Sequence, residues 1–234
     1  MLAMKMLVIG SCTGAKNLGD CPGLLTQANF DDPSLFQRRE AELSAWALPA
    51  RELYTGRQHR YMMNGVNAVR HRFGISVCSV KIISPGYGLV DEEQRLAPYE
   101  ATFQQRRPRW IQEQAKRLGI PAAVRKAVIG FDAVLFLLGK EYLISIHLPL
   151  FPGVNQRFIF FTSNVQLPFH PHSIIVPAGH TETRFGAGVM TLKGKMFERF
   201  ASGLCSAPEK WSELASDNSS ATMLALIEAG QGNP

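Results

Sequence analysis

The chain lacks almost everything that would staple or anchor it. Its four cysteines, Cys12, Cys21, Cys78 and Cys205, stand far apart with no Cys-x-x-Cys spacing. Neither a disulfide framework nor a zinc site is indicated, and reduced thiols are expected. No apolar run approaches the roughly 20 residues of a membrane-spanning helix. Met1 to Met6 holds one lysine but no long apolar stretch or small-residue cleavage site of a secretory leader. A cytoplasmic protein without a membrane partner is therefore expected. The Gly-Lys-Ser/Thr ending of a Walker A loop is missing, as is a G-x-G-x-x-G fingerprint. That argues against a nucleoside triphosphate or a dinucleotide, and no cofactor is expected. No internal repeat, low-complexity tract or convincing linker divides the sequence.

What remains suits a single folded core. Of 234 residues 46% are hydrophobic and 19% charged, enough to fill one large domain. The excess of 25 Lys and Arg over 19 Asp and Glu is partly clustered. One segment carries Arg51, Arg57, His59, Arg60, Arg70, His71 and Arg72; another carries Arg106, Arg107, Arg109, Lys116 and Arg117. Solvated helix faces account for such clusters about as well as a nucleic-acid backbone or a phosphorylated ligand does. Arg57, Arg60, Arg106, Arg107 and Arg109 are the candidate backbone contacts.

Three apolar runs, Leu7 to Ile9, Ile75 to Ile83 and Phe131 to Leu138, each break into glycine and small polar residues, as buried strands do when they end in loops. Gln156 to Thr162 and Ser173 to Val176 are shorter strand candidates. Helical spacing is expected over 34–46, 50–73 with Gly56 and Gly65 as possible breaks, 102–118 with a restart at Pro108, 189–204, 206–214 and 221–229. A frayed tail follows from Gly230. Strands alternating with helices predict a single α/β domain over 1–234, with a mainly parallel sheet of about five strands flanked by helices. A small C-terminal lobe from about 160 is the alternative.

In such folds chemistry gathers at strand ends. Ser11-Cys12-Thr13-Gly14-Ala15-Lys16 offers two hydroxyls, a thiol and a cation. Cys12 is open to two readings, an inert packing thiol or a nucleophile whose thiolate is favoured by Lys16 and nearby amides. Ser84-Pro85-Gly86-Tyr87-Gly88-Leu89 repeats the pattern, with Tyr87 either a stacking platform for a planar base or a core ring. Tyr99, after Pro98, covers the same pocket or simply packs. Asp91, Glu92, Glu93, Glu100 and Glu141 are the carboxylates that strand-end logic offers for proton transfer, Glu141 foremost because it follows a buried strand directly. Lys193, Lys195 and Arg199 read as the wet side of the 189–204 helix. His170 and His172 would need a further ligand to hold a metal, so no metal site is assigned.

Taken in order, Ser11-Cys12-x-x-x-Lys16, Ala50-x-x-Leu53-Tyr54, Ile83-Ser84-x-x-Tyr87-Gly88-Leu89, Pro98-Tyr99 and Leu138-Gly139-x-Glu141-Tyr142 resemble a widespread bacterial and archaeal domain. That domain is distantly related to the peroxide-stress protein YaaA and to a domain of archaeosine synthase. The resemblance spans roughly residues 7 to 142 and implies a nucleic-acid setting, with DNA or a nucleoside as partner. It implies a role beside the proteins of a DNA-modification gene cluster, converting a 7-cyano-7-deazaguanine base to its amide. In that role Cys12, Lys16 and Glu141 would be catalytic, and Ser11, Thr13, Tyr54, Ser84, Tyr87, Gly88 and Tyr99 would bind substrate. A non-catalytic base-binding module and a glycosylase-like hydrolase are the alternatives.

Overall fold

A computed structural model of the chain describes residues 5–216 and 219–230. The expected tail beyond Gly230 and the first residues of the chain, 1–4, lie outside them. The main sheet has six strands: β1 (Met6–Ser11), β2 (Cys78–Ser84), β3 (Gly88–Asp91), β4 (Ala133–Leu137), β5 (Arg157–Thr162) and β6 (Ile174–Pro177). Their order is β6-β5-β4-β1-β2-β3. The first five neighbours along this row pair in parallel, and β3 folds back antiparallel on β2. The five expected strands are thus present and a sixth joins them as a hairpin. Residues beyond 160 supply β6 and the helices behind it to the same core, so no separate lobe forms.

Six of the helices position the loops around this sheet: α1 (Pro33–Glu42), α2 (Arg57–Phe73), α3 (Pro108–Arg117), α4 (Lys140–Ser145), α5 (Leu192–Ser206) and α6 (Ala221–Ala229). Asp32 starts α1 by accepting from the amides of Ser34 and Leu35 at 2.9 and 3.0 Å, with Pro33 in the first turn, a favourable entry for a helix. The helix expected over 50–73 is broken by Gly56 into a short turn, Ala50–Leu53, and α2. The helix expected over 102–118 begins only at Pro108, which starts α3; residues 101–107 before it are not helical. α5 runs along α2 and carries α6 on its other side.

Strand β1 is buried from Met6 through Gly10, and so is all of β4, as expected of apolar runs covered on both faces. The chain leaves β1 for β2 on one side and later returns to β4 on the other. This reversal is the switch point of a doubly wound sheet, where the loops leaving two adjacent strands part and open a crevice at their carboxyl ends. Those loops are the Cys12 to Lys16 segment and the Gly139 to Tyr142 segment.

Candidate functional site

A cleft of about 490 Å³ occupies this crevice. Its floor is Ser11, Cys12 and Thr13. Gln58 stands on one side, Glu141 and Tyr142 on another, and Thr191 and Lys193 of the α5 entrance close it. The floor is fixed by backbone geometry. The Cys12 amide donates to Ile83 O at 3.0 Å, carrying the β1–β2 ladder one residue further. The loop after it is pinned to the turn before α2: Thr55 N donates to Ala15 O at 3.1 Å and Asn17 N to Leu53 O at 2.7 Å. Gly56 N donates to Thr13 Oγ1 at 3.2 Å, and a Cβ at Gly56 would sit 2.6 Å from that of Thr13. Only glycine fits there.

The Cys12 thiol faces the Tyr142 hydroxyl at 3.2 Å. Burial pushes the thiol above its ordinary range, while the Tyr142 hydrogen bond, the Lys16 charge and the Tyr99 hydroxyl pull the other way. Desolvation wins, so at neutral pH the resting group is a protonated thiol, contrary to the thiolate that the sequence pattern favours. Beneath it lies a dry hydroxyl cluster. Tyr54 and Tyr99 share a hydrogen bond of 2.7 Å, and Ser84 Oγ donates to Tyr99 at 2.8 Å. Burial holds the three phenols of Tyr54, Tyr99 and Tyr142 well above their usual range.

Several sequence assignments change place. Tyr99, Tyr54 and Ser84 are almost wholly buried and none of them lines the cleft; they support it from below. Tyr87 does not face it either. Its ring packs edge-on against Phe30, Phe36 and Tyr99, and its hydroxyl accepts from Ala97 N at 3.2 Å. Ser84 Oγ accepts from the amides of Gly86 and Tyr87, so the 84–89 loop is a structural turn. Gly88, at φ 78°, stands 3.0 Å from Leu118 O as measured from an ideal Cβ, a position for close packing rather than for a ligand. The aromatic ring that borders the cleft is Tyr142, braced by Phe103 at 5.3 Å between ring centroids.

Lys16 also moves from wall to support. Its side chain is 2% exposed, lies over the Tyr99 ring at 4.7 Å and pairs with Glu100 at 3.6 Å. It acts on Cys12 as a nearby charge from behind the floor. Glu141, at the cleft wall, keeps the place that strand-end logic gives it. The remaining carboxylates sort into structural pairs: Asp91 with Lys81 at 2.6 Å, Glu93 with Arg51, and Glu92 with Arg70. Glu100 lines the cleft beside Lys16.

Two cleft residues are not among the site residues that the sequence suggests. Gln58 Nε2 donates to Leu137 O at 3.2 Å and to Ser11 Oγ at 3.4 Å, bridging the ends of β4 and β1. Lys193 is 9% exposed, not on a wet helix face, and burial lowers its ammonium pKa while the Glu141 charge opposes that shift. Helical periodicity places it beside Lys195; only the arrival of α5 over the crevice shows that its surroundings are protein. A lysine two residues from a threonine at a helix start is too common a pattern to have signalled this.

The arginines fall on the rim. Arg57 is exposed, lines the cleft and also borders an adjoining hollow of about 470 Å³ with Arg51, Arg60 and Asn64. Thr102 and Gln104 line the opposite lip, and exposed Arg106 and Arg107 follow directly, Arg106 stacked on Trp110 at 4.9 Å. Arg109 instead pairs along its helix with Glu113 at 2.9 Å. His170 and His172 pack edge to face, and among the described residues no group of three or more His, Cys, Asp or Glu could hold a metal ion. Nor is any helix among them long and apolar enough to cross a membrane. In comparisons with known proteins, no protein-family model matches the chain and no curated protein matches it significantly.

Proposed function

We propose that the cleft accepts a modified nucleobase and hydrates a nitrile on it, turning 7-cyano-7-deazaguanine carried in DNA or in a nucleoside into its amide. The observation that carries this reading is the Cys12 thiol on the floor of a strand-end cleft whose wall presents Glu141. The nitrile carbon meets the thiol. The S–C bond forms as the thiol proton passes to the nitrile nitrogen through Glu141, giving a thioimidate. Water, deprotonated by Glu141, then adds to that carbon. The C–S bond breaks, the thiol recovers its proton and the amide leaves; the net change is addition of one water. Because the resting thiol is protonated, Glu141 must act in the first step as well as the second. Lys16 lowers the cost of negative charge at sulfur from below the floor.

Tyr142 borders the base, and the rim arginines would hold the phosphates of a strand whose target base is flipped into the cleft. Partners would come from other proteins of a DNA-modification cluster. Nucleoside mass spectrometry of cyano-deazaguanine DNA incubated with the protein tests the reading. Amide formation by wild type, lost in Cys12→Ala and Glu141→Gln, is expected; unchanged nitrile ends it.

A second reading is favoured by the raised thiol: a cleft that recognises the base without changing it. It requires DNA binding that survives Cys12→Ala and Glu141→Ala, with no turnover by wild type.

A further inference from the structure

The wall of the cleft contributed by α5 has a feature that nitrile chemistry does not use. Lys193 is a long cation, nine-tenths buried, and among the described residues its ammonium forms no hydrogen bond or ion pair. Glu141 acts on it across the cleft as a charge without pairing to it. A lysine whose stem is buried and whose ammonium ends unpaired at a cleft keeps its charge for what enters that cleft. Around it the first turn of α5 carries no side-chain cap: Thr191, at the N-cap position, gives none, and no acidic residue occupies the first turn. The fifteen-residue helix starts here, so the positive end of its dipole lies behind Thr191 and Lys193, while Leu192 and Gly194 are buried in packing. Thr191 and Lys193 both face the cleft, and exposed Arg57 lines it too.

We infer that the entrance of α5 is an anion subsite of the cleft, in which Lys193 Nζ, placed at the positive end of the helix beside Thr191, takes a phosphoryl group. A lysine point charge at the positive end of a helix is a common way to bind phosphate. Phosphoryl oxygens would pair with the Lys193 ammonium at the cleft, and Arg57 at the rim would neutralise the remaining charge. The cleft, about 490 Å³, has room for a base and its phosphate together. The ligand class is thus a nucleotide, free or at a strand position, rather than a bare base.

The test is a calorimetric titration of the full chain at low salt with deoxyguanosine 5′-monophosphate and with deoxyguanosine. The monophosphate is expected to bind at least about tenfold more tightly, with inorganic phosphate competing. In Lys193→Gln that preference is expected to vanish, while Lys195→Gln, a neighbour already paired to Glu198 at 2.7 Å, keeps it. Should Lys193→Gln fail to fold, an NMR titration of wild type with inorganic phosphate decides. Amide shifts centred on 191–195 support the subsite; shifts confined to 106–109, or none, overturn it. Equal binding of nucleoside and monophosphate, or a preference retained in Lys193→Gln, also overturns it. The inference is separable from the reaction proposed above: failure to hydrate a nitrile leaves the phosphate preference intact, and loss of that preference leaves turnover of the free nucleoside to be judged by itself.

Discussion

Gly194→Ala should destabilise the protein although alanine is the better helix former. Gly194 sits in the first turn of α5 against the first turn of α2, backbone to backbone. A Cβ there would press into the Gln58 carbonyl oxygen and lie 3.1 Å from both its carbon and Cα, where ordinary contact begins at 3.4 Å. Neither partner is a side chain able to swing away, so the two helices must part by about 1 Å at a close-packed contact. Overpacking costs about 1–3 kcal/mol; against rigid backbone the upper part, about 2–3 kcal/mol, applies, and the helix preference of alanine returns about 1 kcal/mol. A net loss of about 1–2 kcal/mol is expected, or a melting temperature about 2–8 °C lower for a domain of this size. Urea unfolding measures it, with the slope unchanged. Gly188→Ala, where a Cβ would meet nothing within 4 Å, is the control. A Gly194→Ala protein as stable as wild type, or more so, would show that the α2–α5 contact yields freely and would refute the reasoning. The same shift moves Gln58 and Lys193, so ligand affinity should fall with stability in this variant and in no helix variant remote from the cleft.

Tyr99→Phe removes the hydroxyl that Tyr54 and Ser84 share in a dry interior; a loss of about 1–3 kcal/mol is expected, read by denaturant unfolding, and no loss would mean the cluster is not bonded as described. Glu92→Ala leaves Arg70, which also donates to Cys78 O at 2.9 Å, without its two-pronged partner at side-chain exposures of 18% and 10%; about 2–4 kcal/mol should be lost, and restoration by a second change, Arg70→Met, would confirm the cause. Alkaline pH should weaken the fold. Burial raises Cys78 from 9.0 to about 12, so between those values the folded state holds a proton that the unfolded state has released. Stability then falls as pH rises, by about 1.4 kcal/mol per unit for each such group. Cys78→Val should flatten that limb in thermal melts above pH 9, and an unchanged slope would disprove it. Because Cys12 reacts from its protonated form, which burial favours, the rate should not climb as the thiol ionises; a turnover rate that rises steeply above pH 9 would show attack by a free thiolate and remove the relay through Glu141.

Much of the architecture is legible in the sequence because parallel strands covered on both faces are continuous apolar runs, and Leu7 to Ile9 and Phe131 to Leu138 have no other use. Strand β3 is not, since Gly88 to Asp91 is four residues long and its identity depends on the turn that folds it onto β2. The cleft floor and Glu141 follow from strand-end logic. Tyr87 and Tyr99 depart from expectation, because a tyrosine in a glycine-rich loop looks the same whether it meets a ligand or Phe30. Lys193 reads as a wet residue for a related reason: periodicity reports which residues share a helix face, and cannot report which other loop covers that face.

The single amide bond from Cys12 to Ile83 O bears on how the cleft opens and closes. It ties the cleft floor into the middle of a six-stranded sheet, the part of a fold whose backbone protons exchange with solvent only through near-global opening. The Thr191 to Lys193 wall has no tie to the sheet; Thr191 bonds only locally, to Gly188 O and from Lys195 N. Breathing that admits a ligand therefore belongs to the wall, which should lose deuterium protection orders of magnitude sooner than Cys12.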